Sequence, residues 1–153
     1  MKKLDFKVLL PNVITLTGLS FGLSSIRFAI ESDFNLAIVC ILFAGLCDVL
    51  DGMLARHLHS ESDLGAQLDS LSDFLSFGIA PGLLIYMSIF NQDHGIGAFA
   101  ALAFIIFSCL RLALYNVRLE KAKTIDGEPE HFFSGIPTPV GAILIMLPLT
   151  HSF

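Results

Sequence analysis

Four aspartates in this chain are spaced so that they can act together. The stretch Asp48-Val-Leu-Asp51-Gly52-Met-Leu-Ala55-Arg56 is followed, after eight residues, by Gly65-Ala-Gln-Leu-Asp69-Ser-Leu-Ser-Asp73. On a helix, offsets of three, four and seven share a face. Asp48, Asp51, Gly52 and Ala55 therefore form one stripe, and Gly65, Asp69, Ser72, Asp73 and Ser76 form a second. Joined as an antiparallel pair by a short connection, the two helices bring four carboxylates together. Four adjacent negative charges repel one another, and two divalent cations balance them, because hard carboxylate oxygens suit Mg²⁺ or Mn²⁺. Two such ions about 3.5–4 Å apart clamp the attacking and leaving oxygens of a phosphoryl group. Gly52 and Ala55 matter for what they lack: without large side chains, a nucleotide or diphosphate can lie against the helix backbone. Arg56, one step around the helix, supplies a permanent cation for phosphate oxygens.

The elements that position these groups belong to a membrane. Apolar residues make up 54% of the 153-residue chain, and twelve Gly raise that to roughly 62%, against about 45–50% in globular domains. Charged residues are only 15% and mean hydropathy is +0.75, which excludes disorder, coiled coil and a disulfide scaffold. A net charge of -5 argues against nucleic acid as a partner, since phosphate backbones need a basic face. Cys40, Cys47 and Cys109 lie in apolar runs with no zinc spacing, and are read as small buried hydrophobes.

Period-2 alternation is absent, and the apolar runs match the roughly 20 residues of a spanning helix. Five are predicted: Pro11 to Ile30, Phe34 to about Leu58, about Leu71 to Phe90, Gly95 to about Tyr115, and Phe132 to Thr150. The predicted fold is thus an all-α polytopic membrane helix bundle, a single domain over residues 1–153. The first run lacks a small-x-small cleavage site and is read as a retained span, with Pro11 in its first turn. Gly18 and Gly22 form a GxxxG pair that permits close helix approach, either within the chain or in a homodimer.

Basic residues collect on the cytoplasmic side of membranes. With the N-terminus inside, Lys2, Lys3, Lys7, Arg56, Arg111, Arg118, Lys121 and Lys123 all fall at or near inner helix ends. Arg27 alone lies near an outer end, within reach of Glu31 or Asp33. The expected location is the cell (inner) membrane, with the four aspartates facing the cytoplasm. Along the fourth helix, Ser108, Arg111, Tyr115 and Arg118 fall at helical offsets. This polar stripe can bind a lipid diphosphate or a carboxylate, or its cations can snorkel to the interface, which suits Arg118; Arg111 lies deeper. All five His fall in joints or at the end of the chain, where solvation explains them.

The two aspartate stretches match the signature D-x-x-D-G-x-x-A-R, eight residues, G-x-x-x-D-x-x-x-D, and the chain thereby resembles the CDP-alcohol phosphatidyltransferases. The resemblance implies an integral membrane enzyme of six or more helices that displaces CMP from a CDP-linked lipid with an alcohol. It implies Asp48, Asp51, Asp69 and Asp73 as ligands of two divalent cations, and Asp73 also as the base that deprotonates the acceptor. It places Gly52, Ala55, Arg56 and Gly65 around the CDP moiety, and Asn12 and Thr15 near the cytidine. Against this family the chain is expected to be shortened at its C-terminus.

Ser76-Phe77-Gly78-Ile79-Ala80-Pro81, Arg111-Leu-Ala-Leu-Tyr115-Asn116 and Phe133-Ser134-Gly135-Ile136-Pro137-Thr-Pro139 are similar to segments of the phosphatidylserine synthase branch, although Leu114 stands where that branch often carries Arg. This likeness implies CDP-diacylglycerol and L-serine as substrates, with phosphatidylserine and CMP as products. Other acceptors, such as glycerol 3-phosphate or an inositol phosphate, call for additional cations near the site. A different class, a cation transporter using the same carboxylates, accounts less well for acids clustered at one boundary beside Arg56.

Overall fold

Alternating apolar runs and short polar joints produce an antiparallel helical bundle. The computed structural model describes residues 6–60, 62–89 and 95–124, all of them helical or in the turns between helices. Helix α1 covers Phe6–Ile30, α2 Phe34–His57, α3 Asp63–Asp73, α4 Ala80–Ile89 and α5 Ile96–Thr124. Between α3 and α4 the chain runs without a break through a π-helical segment, Phe74–Ile79, marked by the bond from Ala80 N to Leu75 O.

Four helices among the described residues are long and apolar enough to cross a membrane: Leu9–Ile30, Phe34–His57, Asp63–Ser88 and Ile96–Arg118. The protein is an integral membrane protein. Its all-α bundle has four such helices among the described residues, which corrects the expected five. The stretch Phe132 to Thr150, taken as a fifth span, lies outside the described residues.

Two boundaries also differ from expectation. Helix α1 begins at Phe6, which puts Pro11 inside the helix rather than in its first turn. The third span begins at Asp63, not Leu71, because Ser62 caps it: the Ser62 hydroxyl accepts from Gly65 N at 3.1 Å. The polar residues assigned to a joint are the first turns of an amphipathic helix.

Tight turns hold the helices antiparallel. After α1, Ser32 N bonds Ala29 O at 3.1 Å and Asp33 N bonds Phe28 O at 2.9 Å, with Ser32 left-handed at φ 63°. These are the paired bonds of a Schellman motif. Asp33 then caps α2, accepting from Leu36 N at 3.2 Å. Arg27 pairs with Glu31 at 2.9 Å, one of the two acids the sequence offered it.

Small residues set the packing distances. A Cβ added at Gly18 would stand 3.0 Å from Cys47 Cβ, and one at Gly22 only 2.3 Å from Ser76 Oγ. The GxxxG pair is therefore spent on close approach within the chain, α1 against α2 and against the third span. Ala29, Ala37, Ile41, Phe77, Ala80 and Leu84 form the buried core. Outward faces carry exposed Leu, Val, Ile and Phe, as a lipid-facing surface requires. Of the cysteines, Cys40 is buried as expected, Cys47 is half-buried, and Cys109 is exposed, in contrast to the buried environment expected for all three.

Candidate active site

The C-terminal turns of α2 carry Asp48 and Asp51 three residues apart, on one face. A second Schellman turn stops the helix: His59 N bonds Arg56 O at 3.2 Å and Ser60 N bonds Ala55 O at 3.0 Å, with His59 left-handed at φ 50°. Ser62 starts α3 two residues later, and Asp63 in its first turn complements the positive helix end. The reversal is short enough to lay Asp69 opposite Asp48 and Asp51.

One carboxylate oxygen from each of Asp48, Asp51 and Asp69 lies within 4.8 Å of the others. Asp73, one turn beyond Asp69, reaches the Asp48 carboxyl, which also meets that of Asp69. At such distances two like charges repel by about 3–4 kcal/mol at an effective dielectric of 20. Among the described side chains, no Arg forms an ion pair with any of the four. Asp51 is only 4% exposed, and buried charges are normally paired or bound to metal.

The donor set fits a hard divalent cation. All three groups are carboxylates, and opposite oxygens around Mg²⁺ stand about 4.2 Å apart given its 2.0–2.1 Å bonds. The cluster is an acidic triad able to coordinate a divalent metal and suited to metal-dependent catalysis.

Around the triad the backbone is open on one side and closed on the other. A Cβ added at Gly52 would meet nothing within 4 Å. Arg56 is exposed and folds back over this position, its Nε donating to Gly52 O at 3.0 Å. Ala55, half-buried, lies between them in sequence. Gly65 packs against α1, where an added Cβ would stand 3.0 Å from Asn12 Oδ1. Thr15, 5% exposed, donates from its hydroxyl to Asp51 Oδ2. Asn12, Thr15, Gly52, Ala55, Arg56 and Gly65 thus lie at the same end of the bundle as the aspartates.

Helix α5 contributes differently from expectation. Ser108 is buried, against the Gly78 position, and Arg111 is half-buried, but Tyr115 and Arg118 are exposed. Among the described residues neither Arg111 nor Arg118 pairs with the acidic cluster. Asn116 makes the link instead, with Nδ2 donating to Ser70 Oγ at 2.9 Å, next to Asp69. Sequence reasoning gave Asn116 no role. Its signal was present, as an amide in an apolar helix two helical turns beyond Ser108.

The model of the CDP-alcohol phosphatidyltransferase family matches residues 8–152. The chain belongs to this family. Among its relatives, the CDP-diacylglycerol–serine O-phosphatidyltransferase of Mycobacterium leprae is 37% identical over 138 residues, covering 90% of this chain and 45% of that protein. The enzyme of the same name from Helicobacter pylori is 34% identical over 139 residues, covering 91% and 56%. That of Bacillus subtilis is 33% identical over 144 residues, covering 94% and 77%. The chain thus spans about half the length of the mycobacterial and Helicobacter relatives it matches. In this family member the aspartate signature occupies facing helices, as its spacing required.

Proposed function

We propose that this chain carries the catalytic core of a CDP-diacylglycerol–serine O-phosphatidyltransferase, which transfers a phosphatidyl group to L-serine and releases CMP. The observation that carries the reading is the convergence of Asp48, Asp51 and Asp69 within 4.8 Å, beside a helix backbone left open at Gly52. Serine as acceptor is supported by the names of the relatives and by the segments 76–81, 111–116 and 133–139.

On this reading Asp48, Asp51, Asp69 and Asp73 hold two divalent cations, Mg²⁺ or Mn²⁺, which when bound neutralise the diphosphate and stabilise charge on the attacking and leaving oxygens. Gly52 and Ala55 let the diphosphate approach α2. Arg56 keeps its remaining N–H donors for phosphate oxygens. Asn12, beside Gly65, borders the space for the cytidine. Asp73 takes the serine hydroxyl proton as that oxygen attacks the lipid-side β-phosphorus. The bond from this phosphorus to the bridging oxygen breaks, and CMP leaves with the electron pair. Arg111, half-buried on α5, offers its charge to an anionic substrate, and Arg118 sits at the interface. Along the sequence, eight of the nine basic residues fall at or near the inner ends of the predicted spans, which supports a site that faces the cytoplasm.

The test is CMP release from CDP-diacylglycerol with Mn²⁺ or Mg²⁺, comparing serine, glycerol 3-phosphate, inositol and inositol phosphate. Turnover is expected with serine alone. Turnover with a phosphate-bearing acceptor instead overturns the choice of serine, and no CMP release with any acceptor overturns the transferase.

A further inference from the structure

We infer that Thr15 is a positioning residue for the metal centre: its hydroxyl, presented by α1, fixes the orientation of the Asp51 carboxylate on α2. The inference rests on the metal-dependent reading above and gives Thr15 a task distinct from contacting the nucleotide.

An aspartate's terminal torsion is broad and roughly two-fold, so a carboxylate on a helix end is not held by its own rotamer. A donor on a second, packed helix holds it. Thr15 is suited to this because its β-branched side chain is stiff at χ1 and is only 5% exposed. Its Oγ lies 3.1 Å from Pro11 O and also against Asp51 Oδ2. The hydroxyl has one proton, and the carboxylate is the stronger acceptor.

Other hydroxyls on α1 show the contrast. Thr17, Ser20 and Ser24 donate to carbonyls one turn back, each at 2.8 Å, and go no further. Among the described residues, Thr15 is the one hydroxyl that donates to a carboxylate. The third span supports the arrangement from behind, with Ser72 Oγ donating to Thr15 O at 3.4 Å. Three elements thus meet at Thr15, α2 at its hydroxyl and the third span at its backbone carbonyl, and the Asp51 oxygen that the hydroxyl does not engage is left for the metal site.

Partners that orient metal ligands typically contribute about 10–100-fold to metal affinity. The experiment measures Mn²⁺ binding to the full chain in detergent, by electron paramagnetic resonance and without nucleotide, for the parent, Thr15→Val and Thr15→Ser. Valine keeps the shape and removes the donor; serine keeps the donor. Thr15→Val is expected to weaken Mn²⁺ binding about ten-fold or more, with Thr15→Ser close to the parent. Parental affinity in Thr15→Val overturns the inference, as does an equal loss in both variants. CMP binding is measured in parallel, and a defect confined to CMP assigns Thr15 to the nucleotide and also overturns it. A parent chain that holds no Mn²⁺ overturns the metal-dependent reading as well, so the two failures are distinguishable.

Discussion

Asp48 of α2 and Asp69 of α3 bring carboxylate oxygens within 4.8 Å of one another across a helix reversal, with no Arg paired to either among the described side chains. Buried carboxylates of this kind are normally paired or bound to metal. Mn²⁺ or Mg²⁺ is therefore expected to raise the melting temperature in detergent, and excess chelator to lower it. A ligand present at one hundred times its dissociation constant stabilises by about 2.7 kcal/mol. A melting temperature indifferent to both additions speaks against the metal centre without reference to activity.

Asp73 is assigned the acceptor's proton. Asn at this position keeps the shape and loses the base, so Asp73→Asn is expected to reduce kcat for CMP release by about 10²–10⁴-fold. Steady-state kinetics at saturating serine provide the check, and an unchanged kcat removes Asp73 from this role.

Gly52 separates folding from function. Nothing lies within 4 Å of a Cβ added there, and Gly in a helix interior costs about 0.5–1 kcal/mol relative to Ala. Gly52→Leu is expected to melt no lower than the parent while CMP binding falls about ten-fold or more, by analogy with overpacking at a filled contact. Calorimetric titration with CMP, alongside a melting curve, decides; parental CMP affinity shows that the open backbone is not where the nucleotide lies.

Gly22 and Ser76 test the packing of α1 on the third span. Gly22→Ala places a Cβ 2.3 Å from Ser76 Oγ and 3.0 Å from Leu75 Cδ2, and overpacking of this kind costs about 1–3 kcal/mol. The Ser76 hydroxyl is buried without a hydrogen-bond partner among the described residues, so Ser76→Ala alone should cost little. Combined, the two substitutions should be less destabilising than their sum, and a double-mutant cycle on unfolding in detergent measures the coupling. Strict additivity would place the contact elsewhere.

Much of the site could be read from local order. Helical periodicity puts Asp48 with Asp51 and Asp69 with Asp73 on common faces, because offsets of three and four are properties of one helix and need no partner. Long apolar runs identify the membrane helices for the same reason. Local signals failed where polar residues began a helix: hydropathy delays the third span to Leu71, whereas the Ser62 cap and the amphipathic turn from Asp63 start it earlier.

Contacts between helices had no such code. The meeting of Thr15 with Asp51, of Asn12 with Gly65 and of Asn116 with Ser70 depends on the angle and depth at which helices pack, set by Gly18 and Gly22 and by the turns at Ser32 and His59. The π-helical segment after Asp73 changes the register of the third span through backbone bonds that reach five residues back instead of four, which no side-chain pattern announces. Periodicity along one helix is a short-range steric property carried by every residue. Proximity between helices emerges only when all the small-residue contacts and turn geometries are satisfied at once.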